Sequence, residues 1–88
     1  MIDEVPVYVR VADALGRPAD PRMLKDRKLL DALVAKNGIT TRPIGIEAWE
    51  TTCMPDINGE MSGLGRTADA AIWNLVLRLG DAGKLERP

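Results

Sequence analysis

The sequence predicts an α+β domain that is mainly helical, with three helices and a small edge pair of β-strands in a single unit over residues 1–88. Two capped amphipathic segments, beginning at Asp20 and Thr67, indicate helices, and an alternating apolar segment near the start indicates a strand. A chain of 88 residues has room for only one hydrophobic core.

The first element is predicted from valines at every second position between Val5 and Val11. This alternation is typical of a half-buried strand that is rich in β-branched residues. Pro6 has no amide hydrogen to donate, so the strand is expected at a sheet edge. The turn-forming residues 16–19 end it.

The next element is a helix that begins at Asp20, an N-cap residue followed by Pro21 at the first helical position. Its core stripe consists of Leu29, Leu30, Leu33 and Val34. Gly38 is expected to end the helix in a left-handed conformation, with Ile39 packed against Val34 as in a Schellman motif.

The middle of the chain predicts a short helix followed by a long loop. Ile46, Trp49 and Cys53 recur at helical spacing, which favours a helix from about Gly45 to Pro55. Residues 55–65 contain several glycines and an Asn-Gly pair, and they indicate a connecting loop of the kind that often makes contacts.

The final helix is predicted to run from Thr67 to about Gly83, and it is apolar on two sides. One side carries Ile72, Leu75, Val76 and Leu79, and the other carries Ala70, Trp73 and Leu77. The second side is covered either by the rest of the chain or by a partner, such as a second copy in a homodimer. Trp73 and Leu77 are the candidates for that partner interface.

Composition excludes several classes of function. With no histidine and one cysteine, the chain lacks the commonest general base, the His-dependent nucleophiles and the usual zinc ligands, so no enzyme, metal or cofactor is expected. The acidic turn at residues 56–60 does not meet the spacing of an EF-hand calcium loop. A lone cysteine and no signal peptide or long apolar run predict a cytoplasmic protein outside the membrane.

Charge is distributed unevenly along the chain, although its net value is only −1. Residues 20–43 hold six basic and three acidic residues, whereas residues 44–65 hold four acidic residues and no basic one. The low net charge argues against a protein that coats nucleic acid by charge alone.

The order of the predicted elements, and above all the ending Leu77-Arg78-Leu79-Gly80-Asp81-Ala82-Gly83-Lys84-Leu85-Glu86-Arg87, resembles the winged helix-turn-helix superfamily over residues 23–87. The resemblance implies a winged-helix-like, DNA-binding domain whose last helix is the recognition helix. The N-terminal strand would then have to complete the wing. Few side chains of the last helix are suited to reading bases.

Two hypotheses follow. The first is a small non-enzymatic regulator or replication protein of phage or mobile-element type that binds nucleic acid. Its candidate contacts are Lys25, Lys28, Arg42, Arg66, Asn74 and Arg78. The second is a protein-binding adaptor or inhibitor, similar in kind to anti-CRISPR proteins, that uses the acidic middle segment and the Trp73 and Leu77 side of the last helix.

Overall fold

Helices come first and last in the chain and a three-stranded sheet lies between them, as the computed structural model shows for residues 5–56 and 59–88. The elements are α1 (Val7–Leu15), a 3₁₀ helix (Pro21–Lys25), α2 (Arg27–Asn37), β1 (Thr40–Gly45), β2 (Ala48–Asp56), β3 (Gly59–Gly65) and α3 (Ala68–Asp81). The prediction of a winged-helix-like fold is therefore wrong, because the sheet precedes the last helix and no strand is assigned to residues 5–39 or 66–88.

The sheet is antiparallel throughout, in the order β1-β2-β3. Thr51 lies opposite Thr41 on one neighbour and opposite Gly63 on the other, and this register places alternate residues of β2 on the two faces. Thr51 and Cys53 point into the core. The other face is open to solvent, since Arg42, Met54 and Leu64 are exposed there.

The first strand prediction is also wrong, because residues 7–15 form helix α1. Val11, Ala12 and Leu15 have helical spacing and are all buried, whereas Val5 and Val7 are exposed. Packing against α3 has overridden the β-propensity of the valines. The break at residue 16 is a helix end, with Gly16 in the left-handed conformation at φ 66°.

The start predicted at Asp20 is confirmed, although that residue caps a 3₁₀ helix and not α2 itself. Its carboxylate accepts a hydrogen bond from the Arg22 amide, and the hydrogen bond from the Arg22 side chain lowers the pKa of Asp20. The α-helix begins one turn later at a second N-cap, Asp26, which accepts from the Leu29 amide at 3.1 Å.

The predicted end of this helix is confirmed as well. Gly38 has φ 63°, and the Ile39 amide donates to the Val34 carbonyl at 3.0 Å, which is the long bond of a Schellman motif. Just before it, the Asn37 side chain accepts from the Glu86 amide and donates to the Glu86 carbonyl. The chain end is thereby attached to α2, where the resemblance implied a wing strand.

The short helix predicted from Gly45 to Pro55 and the loop predicted to follow it are wrong, because residues 48–56 and 59–65 are strands β2 and β3. Trp49, Thr51 and Cys53 alternate on the inner face, so the relevant period was two rather than 3.6. The calcium-like turn at residues 56–60 includes positions 57 and 58, which lie outside the described residues.

The last helix agrees with its prediction at both ends. The Thr67 hydroxyl accepts from the Ala70 amide at 3.1 Å, and the helix runs to Asp81. It contacts all three strands, α1 and α2, so it lies at the centre of the core. The first apolar side is covered within the chain, and so are Trp73 and Leu77 of the second, whereas Ala70 is exposed.

Candidate binding surfaces

The six residues predicted to contact nucleic acid lie in three separate places. Lys25, Lys28 and Arg66 lie around the neighbouring first turns of α2 and α3. These turns are joined by an ion pair of 2.8 Å between Arg27 and Asp69. Asp26 and Asp69 carry negative charge at the same end of the molecule. The basic character of this end is therefore small.

Arg42 lies elsewhere, on the open face of the sheet. Its guanidinium donates to the Glu50 carboxylate at 2.7 and 2.9 Å across the β1–β2 pair. The two charges offset each other, so Arg42 adds little to a phosphate-binding surface.

Asn74 and Arg78 lie in a third place, along the free edge of β3. The Asn74 amide donates to the Leu64 carbonyl, and Arg78 donates to the Ser62 carbonyl at 2.8 Å. Both side chains thus hold α3 to the edge of the sheet. In this structure the predicted recognition residues are engaged with the chain's own backbone.

The residues predicted as a partner interface are buried. Trp73 is 5% exposed and Leu77 is 6% exposed, and the Trp73 indole donates to the Leu24 carbonyl at 3.3 Å. The 3₁₀ helix, the sheet and α1 cover these two residues of α3. The expectation of a homodimer was drawn from an uncovered helix side, and that basis is absent.

The most exposed apolar group that the structure describes is at the tip of the β1–β2 hairpin. Ile46 is 98% exposed, and Ile44, two residues before it, is 51% exposed. Glu47 beside them has φ 51°, and it is the one non-glycine residue of the described chain with positive φ. A β-branched residue and a glutamate thus stand where hairpin turns favour Gly, Asn and Asp.

The sequence analysis missed this tip because it assigned residues 45–55 to a helix. The available signal was the β-branched and aromatic alternation of Trp49, Thr51 and Cys53, preceded by another such segment at residues 39–44. Two segments of this kind separated by a short turn are typical of a hairpin. No Asn-Gly or Asp-Gly pair marks the turn itself.

In the part of the chain that the structure describes, neither the cysteine nor the acidic side chains form a second site. Cys53 is buried on the inner face of β2, and burial, with a smaller contribution from the Glu60 carboxylate, raises the pKa of its thiol. Within residues 5–56 and 59–88, no group of three or more Cys, Asp or Glu side chains is arranged to hold a metal ion.

Compared with models of protein families, with curated proteins and with solved structures, the chain has no match. No helix in the described part of the chain has the length and apolar character to cross a membrane.

Proposed function

We propose that this chain is a small protein-binding module that contacts its partner through the tip of the β1–β2 hairpin. The observation that carries the proposal is the fully exposed Ile46 next to the positive φ of Glu47. The proposal involves no chemical step on the partner.

Both features of the tip lower the stability of the protein when no partner is bound. An isoleucine that is left in water forgoes the roughly 1.5–3 kcal/mol that burial of such a side chain provides. A non-glycine residue held at positive φ costs on the order of 1–3 kcal/mol. Residues that do not suit their position in the fold are expected mainly at functional sites, and here two such residues, Ile46 and Glu47, are adjacent.

Charge around the tip defines the partner further. Glu47 is exposed at the tip, and residues 44–65 contain acidic groups without a basic one. Of these acidic residues only Glu47 stands at the tip, because Glu50 is paired with Arg42 and residues 56 and 60 belong to the turn at the opposite end of β2. Two exposed isoleucines beside one carboxylate suit an apolar pocket with a basic group at its rim. From the acidic segment of the adaptor hypothesis this proposal keeps Glu47, and it replaces the helix face by the hairpin tip.

The nucleic-acid hypothesis has less support. Its candidate residues lie on three separate surfaces, and the charge of Arg42 is offset by Glu50. Fluorescence anisotropy of a labelled random duplex should show no binding that weakens steeply with salt. Binding with such a salt dependence would favour the nucleic-acid hypothesis instead.

The test of the proposed function is photo-crosslinking from a single position in the cells that make the protein. A benzophenone amino acid at position 46 should give a discrete adduct, and the same group at Ala35, which is exposed on α2, should not. The partner protein identified in the adduct is then purified, and the Kd of its complex with this chain is measured.

The matched variant replaces the tip with ordinary turn residues, Ile46→Asn with Glu47→Gly. This variant should unfold at a higher temperature, because the positive φ is relieved, yet bind the purified partner at least tenfold more weakly, as the loss of roughly 1.4 kcal/mol at a hot spot predicts. Equal adducts from positions 46 and 35, or unchanged affinity in the variant, would contradict the proposal.

A further inference from the structure

A second surface, distant in sequence from the hairpin tip, has the composition of a binding groove. It lies between α1, the edge of β3 and the outer side of α3, and it has a volume of about 310 Å³. Its lining consists of Arg10, Leu64, Asn74, Leu77 and Arg78. Two arginines, one amide side chain and two leucines therefore line the same groove.

Along the edge of β3 in this groove, two backbone carbonyls already accept hydrogen bonds from side chains of α3. The carbonyls of Ser62 and Leu64 point away from β2, because they accept hydrogen bonds from Arg78 and Asn74. In an antiparallel ladder the amide and carbonyl of one residue face the same side, so the amides of Ser62 and Leu64 also point away from β2. Leu64 lines the groove, and its amide is therefore a donor for a ligand there, with the Ser62 amide next to it along the same edge.

This arrangement excludes one occupant and favours another. A strand added to the edge would need free acceptors as well as donors, and Asn74 and Arg78 already occupy them. An anion needs donors only, and the groove supplies backbone amides together with guanidinium groups. Leu64 is 58% exposed beside these donors, and its apolar surface favours an anion that carries an apolar group.

We infer that the groove binds the C-terminal carboxylate of a partner polypeptide whose last residue is apolar. The carboxylate lies between Arg10 and Arg78, the last side chain lies on Leu64, and a carbonyl of the peptide accepts from the edge of β3. This site is independent of the hairpin tip, and either proposal can fail without the other.

Asp81 competes with the ligand in the free protein. Its carboxylate lies 3.4 Å from the Arg10 guanidinium, and both side chains are largely exposed. An exposed pair of this kind is weak and is readily exchanged for a better-placed carboxylate. The affinity of the groove should therefore respond in opposite directions to the removal of these two charges.

The experiment is an NMR titration of the ¹⁵N-labelled full chain with acetyl-Gly-Ala-Leu as the free acid and as the C-terminal amide. The free acid should shift the Ser62 and Leu64 amide resonances at millimolar concentration. The amidated peptide should bind at least about tenfold more weakly, because it cannot make the charge-assisted hydrogen bonds. Absence of these shifts with the free acid, or equal shifts with both peptides, would overturn the inference.

Two variants sharpen the test without touching the core. Arg10→Gln should weaken binding of the free acid by about fivefold or more, and Asp81→Asn should strengthen it by roughly two- to fivefold. Both should keep the thermal midpoint of the parent within a few degrees. The inference would be overturned if the affinity stayed unchanged in one of these variants or in both.

Two further ligands distinguish a peptide C-terminus from a small carboxylate and from a phosphate. Hexanoate should bind more weakly than the peptide, because it lacks the carbonyl that meets the β3 edge, and a dinucleotide should not shift the Ser62 and Leu64 amides. Hexanoate binding as tightly as the peptide would assign the groove to small carboxylates. Shifts of the same amides by the dinucleotide would assign it to phosphates, and either result would overturn the inference.

Discussion

At the scale of single residues, the contact between helix and sheet depends on glycines that look like turn formers in the sequence. Gly63 and Gly65 lie within β3, where α3 passes directly over the strand. A Cβ built on Gly63 would lie 2.6 Å from the Leu75 nitrogen and 2.8 Å from the Ala71 oxygen. Here glycine is needed for a close backbone approach and not for a turn.

Gly63→Ala should therefore destabilise the fold by about 1–3 kcal/mol, because α3 must move away from the strand to admit the methyl group. The measurement is urea denaturation followed by circular dichroism. Gly45→Ala is the matched control, since a Cβ there meets only the Ala48 Cβ at an ordinary 3.6 Å. Equal stability of the two variants would show that the close approach is not required.

The Cys53 thiol predicts a pH dependence. Its pKa is raised in the folded state by burial first and by Glu60 second, so the folded chain favours the protonated thiol. The contribution is fully present below the pKa of the unfolded chain and is lost as the pH rises through that of the folded chain. In urea denaturation between neutral and alkaline pH, Cys53→Ala should lose less stability than the parent. Parallel losses would contradict this.

At the scale of elements, the predictions succeeded where local chemistry decides the structure. The caps at Asp20 and Thr67 and the Schellman ending at Gly38 depend on side chains and backbone within a few residues, and all three are confirmed. These ends could be predicted because their hydrogen bonds join residues that are neighbours in the sequence.

The predictions failed where distant contacts decide. The valines of α1 alternate like a strand, but a strand needs a neighbour, and the sheet places β1 and β3 at its two edges without α1. Residues 45–65 were misassigned because the glycines of β3 are explained only by α3, which follows later in the chain. The hairpin tip and the groove were missed, since both depend on these strands.

The edge of β3 provides a prediction at the same scale. Arg78→Ala removes the donor to the Ser62 carbonyl, and the fold should lose about 1 kcal/mol and become more prone to edge-to-edge association. Arg66→Ala is the control, because Arg66 has no hydrogen bond to any described residue. The measurements are thermal unfolding and light scattering. A greater loss in Arg66→Ala would contradict the structural role of Arg78.

At the scale of the whole molecule, one core joins all the elements through α3. The radius of gyration of 12.7 Å is close to the roughly 12 Å expected for a single compact unit of this length. The buried Thr51 hydroxyl donates across the sheet–helix contact to the Ala71 carbonyl at 2.8 Å. On the other side of α3, Trp73 is bonded to the 3₁₀ helix. Helix α3 is thus shared by both halves of the core.

A shared central helix predicts that the sheet and the helical layer unfold together, and the two tryptophans report on them separately. Trp49 lies on β2 and Trp73 lies on α3 against the 3₁₀ helix, so Trp73→Phe leaves a probe of the sheet and Trp49→Phe leaves a probe of the helical layer. In each variant the fluorescence midpoint should coincide with the circular dichroism midpoint of that same variant, as all-or-none unfolding requires. A sheet that melts at a lower temperature than the helices would show that α3 does not couple them, and the hairpin tip would then be presented by a layer with its own stability.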